Sequence, residues 1–339
     1  MQKPWLSLAI GVACWLVWTG AIDSGLRSYQ ITGYAQGTDY TVTYYAKDSL
    51  ISKRSIDSIL VVIDSSMSLY KPYSLINRIN NDDGRPVVVD EHFYRVLKRS
   101  FEIHRDSKGI FDITVAPLVQ LWGFGVEAID HFPDSAVIDE ALACVGMDKI
   151  RLKGRRLEKK KACVQLDMNG VAQGYSVDIL ADHIESKGII HYVVELGGEL
   201  RVRGPKPDGK PMRIGIERPP SQDGGRVVIN DVMEVRSGAI TTAGSYRKFL
   251  QDGDRRVSHH IDPKSGYPFD TGTISATVFA KDAITADGYD NVIMAMDAGD
   301  AVRFANKRKD LEVFVVYRDK YGAIKDTMSV GFKELITSH

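Results

Sequence analysis

The chain has 339 residues, 44% of them hydrophobic, which is enough to bury a sizeable core and excludes a disordered protein. Lysine plus arginine and aspartate plus glutamate balance at 44 each, so no global basic field exists to draw nucleic acid or an anionic bilayer. The expected partner is a small molecule or a protein.

In chain order, the first element is the charge-free run WLSLAIGVACWLVWTGAI at residues 5–22, whose length falls between a signal-peptide core and a minimal transmembrane helix. Residues 1–25 are therefore read as a signal or membrane-anchor segment, with the rest of the chain outside the cytoplasm. The tetrad GVAC ending at Cys14 resembles a bacterial lipoprotein signal, in which that cysteine is lipidated. An uncleaved anchor and cleavage after Ala21 are equally open.

Beyond this segment no repeat, low-complexity stretch or Pro/Gly/Ser linker divides the sequence, so one catalytic domain over residues 29–339 is expected. Residues 41–46 read as a strand. Asp90 as a cap, followed by Phe93, Val96, Leu97, Phe101 and His104 at helical spacing, predicts a helix over 89–107. Cys144 and Cys163 stand in no CxxC pair, which disfavours zinc and dithiol chemistry. Buried thiols are expected, a disulfide between them being the alternative in an oxidising compartment. A second helix is predicted over 171–187, stopped by Gly188, then strands at 191–197, 200–204, 212–217, 226–229, 239–242, 273–280 and 311–317. A helix over 283–296 separates the last two. Hairpin-like neighbours without strict alternation point to an α+β fold with mixed, largely antiparallel sheets and packed helices.

Chemistry concentrates in SHHIDPKSGYP, residues 258–268. If the strand continues through it, His259 and Ile261 point one way and His260 and Asp262 the other, so one histidine is expected to face a pocket. Pro263 holds Asp262 extended, and the Lys264-Ser265-Gly266 stretch predicts a tight turn. Asp287 and Asn291 lie four apart on one helix face, where carboxylate and amide oxygens suit a hard cation such as magnesium. Asp290 offers an alternative oxygen. In LDMNGVAQGYSVD, residues 166–178, Gly170 and Gly174 let a ligand or a second backbone come close, and free amides at a helix start favour phosphate. The aromatic-rich segments 66–80 and 109–125 read as core, although Tyr70 could also stack on a planar ligand.

Together and in this order, GYAQGTDYTVTYYA, SMSLYKPYSLINRIN, FDITVAPLVQLWGFG, LDMNGVAQGYSVD, ELGGELRVRG, TTAGSYR, SHHIDPKSGYP and ADGYDN resemble the ApbE family of FAD:protein FMN transferases. The resemblance implies an enzyme that cleaves FAD with magnesium and joins FMN through a phosphoester to a threonine or serine of another protein, releasing AMP. The implied acceptors carry a short Thr/Ser-Gly motif, as in subunits of the sodium-pumping NADH:quinone reductase and of Rnf complexes. By the same resemblance Asp287 is a metal ligand, the Gly170 carbonyl approaches the metal, and Asn291 adds an oxygen. His259 is implied as general base, with His260 assigned to packing or a local hydrogen bond. Tyr70 is implied beside the isoalloxazine, while Asp178, Glu199 and Thr242 contact FAD or hold its site. Asn291 stands where threonine is usual, Gln173 where lysine is usual and Ala243 where serine is common. FAD hydrolysis without transfer, and flavin binding without turnover, are the alternatives.

Overall fold

The computed structural model describes residues 25–219, 228–246, 249–252 and 255–337. The run at 5–22 with Cys14, and the start of the strand expected at 226–229, lie outside them. Strands β1 (Arg27–Ala35) and β2 (Thr38–Ala46) form a hairpin. Its turn, Gln36-Gly37, has φ of 53° and 80°, the left-handed geometry that fits the twist of a two-residue hairpin. Helices α1 (Lys53–Met67) and α2 (Leu75–Asn80) follow, each capped by a serine side chain, Ser52 and Ser74. After β3 (Val87–Val88) comes α3 (Glu91–Asp106), where the Asp90 carboxylate accepts from Phe93 N as the sequence predicts.

Helices α4 (Ala116–Leu121) and α5 (Ser135–Leu142), the hairpin β4 (Ile150–Lys153) and β5 (Arg156–Lys159), and α6 (Asn169–Glu185) complete the first half. The second half runs β6 (Tyr192–Leu196), β7 (Glu199–Arg203), β8 (Met212–Arg218), β9 (Val228–Val235), β10 (Ser237–Gly244), β11 (Phe249–Asp252), β12 (Arg255–Ser258) and β13 (Thr273–Ala280). It closes with α7 (Ala283–Met294), α8 (Ala298–Asn306), β14 (Leu311–Arg318), β15 (Ile324–Met328), α9 (Val330–Leu335) and β16 (Ile336–Thr337).

Eight strands form the central sheet in the order β1-β2-β6-β7-β10-β13-β14-β15, with every neighbour antiparallel. Alternation assigns its two faces. Val313 and Val315 of β14 join the main core with α1, α3, α6 and α7, whereas Phe314 and Val316 face a second core under the three-stranded sheet β16-β9-β8. The fold is α+β. Among the described residues no helix is long and apolar enough to cross a membrane.

Three local features set up the site. Helix α7 packs against α6 on one side and β10 and β13 on the other. Gly174 makes that approach possible, because a Cβ there would lie 2.3 Å from the Ala283 carbonyl oxygen. Of the two guests expected at this glycine, the structure brings the second backbone. A third core of Leu118, Trp122, Ile138, Val145, Val257 and Ile261 supports the histidine loop from below. Lastly, Cys144 and Cys163 form a disulfide, with Cα atoms 5.5 Å apart, which corrects the expectation of two buried thiols. It fastens the end of α5 to the segment leading into α6. Two long-range hydrogen bonds beside it, Gly146 N to Thr114 Oγ1 and Met147 N to Asp112 Oδ2, extend the same seam.

Candidate active site

A cavity of about 440 Å³ opens between the β1–β2 turn, the start of α6, the histidine loop and α7. His259, Tyr70, Glu199, Thr242, Gly170, Asp287 and Asn291 all line it, although they span more than two hundred positions of sequence. Tyr70 stands at the mouth, 62% exposed. Thr242 exchanges a hydrogen bond with Thr277 across β10 and β13 at 2.9 Å.

Asp178 is the exception. It is absent from the cavity wall and instead accepts from Ala283 N and Ile284 N, each at 2.9 Å, and from Arg201 Nη1 at 2.7 Å. Its carboxylate thus anchors the first turn of α7 to α6. That negative charge also lies at the positive end of the helix. It holds the site without touching the space where a ligand fits.

The other end of the cavity is rich in oxygen. Asp287 and Asp290 are 5% and 2% exposed. Gly174 N donates to Asp287 Oδ2 at 2.8 Å. Burial, and secondarily the charge of Asp178, push the Asp287 carboxyl up to about 7 even against that bond. Asp290 is raised as well, by burial first and then by Asp287. Asn291 Nδ2 donates to Gly170 O at 3.2 Å, Asp287 O at 2.9 Å and Asp290 Oδ1 at 2.9 Å. Because all three neighbours are acceptors, the amide must present its NH₂ to them. The expected oxygen of Asn291 therefore faces away from the Gly170 carbonyl. At the start of α6, the Asn169 amide is already taken by Asp167 Oδ1 at 2.7 Å, so the helix start offers fewer free donors to phosphate than its sequence suggests. Among the described residues no group of three or more His, Cys, Asp or Glu side chains is disposed to hold a metal by itself. The donors here are carboxylates mixed with a backbone carbonyl and an amide.

The histidine loop departs from strict alternation. Strand β12 stops at Ser258, after which Ile261 makes only an isolated bridge to Pro268. With the strand ended, His259 and His260 no longer diverge: their rings lie 4.0 Å apart between centroids, tilted by 41°, and both line the cavity. The expectation of a single histidine facing the pocket is corrected accordingly. Phe124 meets the His259 ring edge-on at 6.1 Å. Below them the predicted turn is present, with Asp262 accepting from Lys264 N and Ser265 N. Gly266 has φ of 78°, and its carbonyl accepts from Trp122 Nε1 at 2.8 Å. Asp262 is thus a turn residue.

The ApbE family model matches residues 36–315. This chain belongs to the ApbE family. The FAD:protein FMN transferase of Vibrio cholerae is 33% identical over 99% of this chain and 100% of its own length. The flavin transferase ApbE structure from Vibrio cholerae superposes with a TM-score of 0.82 at 32% identity, covering 91% of this chain and 99% of that one. The apo flavinyl transferase ApbE of Pseudomonas stutzeri gives 0.82 at 32%, covering 91% and 97%. Within this ApbE cavity the sequence reading assigned no role to Gln36, Asp112, Asp167, Phe124 or Phe269. Asp112 and Phe124 fall in the quoted aromatic segment, but no local pattern separates a wall residue from a core residue there.

Proposed function

We propose that this chain is an FAD:protein FMN transferase acting outside the cytoplasm on a threonine or serine of an acceptor protein. The observation that carries this reading is the gathering of His259 and the oxygen-rich end of α7 in one cavity, in a chain related over its length to FAD:protein FMN transferases. The acceptor hydroxyl oxygen forms a new bond to the FMN phosphorus, the bridging P–O bond of FAD breaks, and AMP departs. His259 takes the hydroxyl proton as general base, a role worth about 10² to 10⁴ in rate. Tyr70 covers the flavin at the mouth, and Glu199 and Thr242 line the space beside it.

Magnesium fits the donor chemistry: two buried carboxylates with raised pKa values lie within electrostatic reach, Asp287 raising Asp290, and a divalent cation would stabilise both in their charged forms. Asp287, Asp290, the Gly170 carbonyl and Asn291 would hold it. When bound, such a cation neutralises pyrophosphate charge and stabilises the departing phosphate. Asn291 would have to turn its amide to offer oxygen in place of nitrogen. Gln173 lines the cavity with a neutral amide, so charge on the phosphates falls to the metal rather than to a lysine.

The Cys144–Cys163 disulfide supports an oxidising compartment, in line with the charge-free segment at residues 5–22 as a signal or anchor, Cys14 being a candidate for lipidation. Acceptor subunits of Rnf or sodium-pumping NADH:quinone reductase type, with a Thr/Ser-Gly motif, meet the requirement for a hydroxyl in an extracytoplasmic segment. The test mixes the folded domain with FAD, magnesium and a peptide bearing that motif. Covalent flavin fluorescence in a denaturing gel that needs every component is the expected result. Free FMN without labelled acceptor would assign a pyrophosphatase, and FAD that persists unchanged would assign a flavin carrier.

A further inference from the structure

His260 is spare in the chemistry above, and its surroundings do not explain it. The side chain is 6% exposed and lines the cavity, yet neither ring nitrogen has a hydrogen-bond partner. The ring lies against that of His259, 4.0 Å between centroids and tilted by 41°. Its backbone carbonyl is engaged by Phe269 N at 2.9 Å, so the main chain is fixed while the imidazole is left unsatisfied. An apolar side chain would fill the same space without the desolvation cost of a buried, unpaired donor and acceptor. Burial first, and the neighbouring His259 second, hold the His260 pKa well below its ordinary value. The ring is therefore neutral, with one N–H to give and one lone pair to receive.

Resting on the transferase reading, we propose that His260 is a substrate-binding residue whose missing partner is a heteroaromatic edge of FAD. Such an edge presents donors and acceptors side by side, which a neutral imidazole can match and an imidazolium or a leucine cannot. Two parts of FAD have this chemistry, the isoalloxazine and the adenine. The ring contact makes the arrangement joint: a ligand held by His260 is placed beside His259. In this way one imidazole binds while its neighbour moves the proton.

The experiment measures FAD binding to the folded protein in chelator, by quenching of flavin fluorescence, with FMN and AMP as separate competitors. For His260→Leu the expected result is roughly a tenfold loss of FAD affinity, the value of one hydrogen bond of about average strength. The thermal midpoint should be unchanged or raised, because the unsatisfied polar group is gone. His260→Asn, which keeps a donor and an acceptor, should restore most of the affinity. Weakened competition by FMN alone assigns the contact to the isoalloxazine, and by AMP alone to the adenine. Should a variant not fold, nitrogen-15 histidine spectra of the unaltered protein replace it, with the His260 nitrogens expected to shift on FAD addition. Unchanged affinity for FAD, FMN and AMP in a folded His260→Leu, or His260 nitrogens that do not respond to FAD, would overturn the assignment. If the unaltered protein binds no FAD, the transferase reading falls and takes the assignment with it.

Discussion

The roles proposed for His259 and Asp287 differ, and two substitutions separate them. His259→Ala should leave FAD bound while slowing FMN transfer by about 10² to 10⁴, measured as initial rate of acceptor labelling. A variant that labels at the native rate would remove His259 from proton transfer. Asp287 is read through stability. In chelator its folded pKa of about 7 lies above its ordinary 3.8, so between those values the folded chain binds a proton that the unfolded chain does not. Its contribution is thus fully present below pH of about 4 and lost as pH rises through about 7. The metal-free protein should melt lower than Asp287→Asn at about pH 8 and alike at about pH 4, and added magnesium should close the gap. A gap that widens on acidification would contradict this electrostatic account. These roles were legible only in part. The spacing of Asp287 and Asn291 gave the shared face, but the donor orientation of the Asn291 amide depends on Gly170, 121 positions away.

At the level of elements, legibility follows the surroundings. Strand β13 spans the predicted residues 273–280 because its β-branched run is buried between strand neighbours. Helix α1 is hidden: its segment Ile59 to Ile63 reads ILVVI, a strand-like composition, and Val61 and Val62 face solvent at 60% and 51% exposure. Tertiary packing of Ile56, Leu60 and Ile63 overrides local preference there. The histidine loop defeats a two-residue period simply because β12 ends before it. Asp178 belongs to this scale too, since it joins α6 to α7. Asp178→Ala frees two amides of α7 and removes the shortest ion pair of Arg201, itself only 21% exposed at its side chain, leaving it Glu185 at 3.8 Å and Asp182 at 4.0 Å. A loss of about 3 kcal/mol in denaturant unfolding is expected, with weaker magnesium binding although the residue is not part of the wall of the described cavity. Native stability in this variant would show that the anchor is redundant.

On the scale of the whole molecule, an antiparallel sheet with helices on one face and a small sheet on the other supplies a rigid floor, while the site sits where helices, turn and loop meet above it. The disulfide belongs to this level because it ties the third core to the approach of α6. Its sequence separation is 19, and reduction should cost roughly 3 kcal/mol by loop entropy. Urea midpoints with and without reductant measure it, and equal midpoints would deny the bridge any part in stability. The cavity draws its walls from Gln36 through Asn291, and the carboxylate end arrives only with α7. During synthesis, a chain emerging amino end first therefore carries Tyr70, His259 and His260 before the last wall of the cavity, Asp287 to Asn291, has been made.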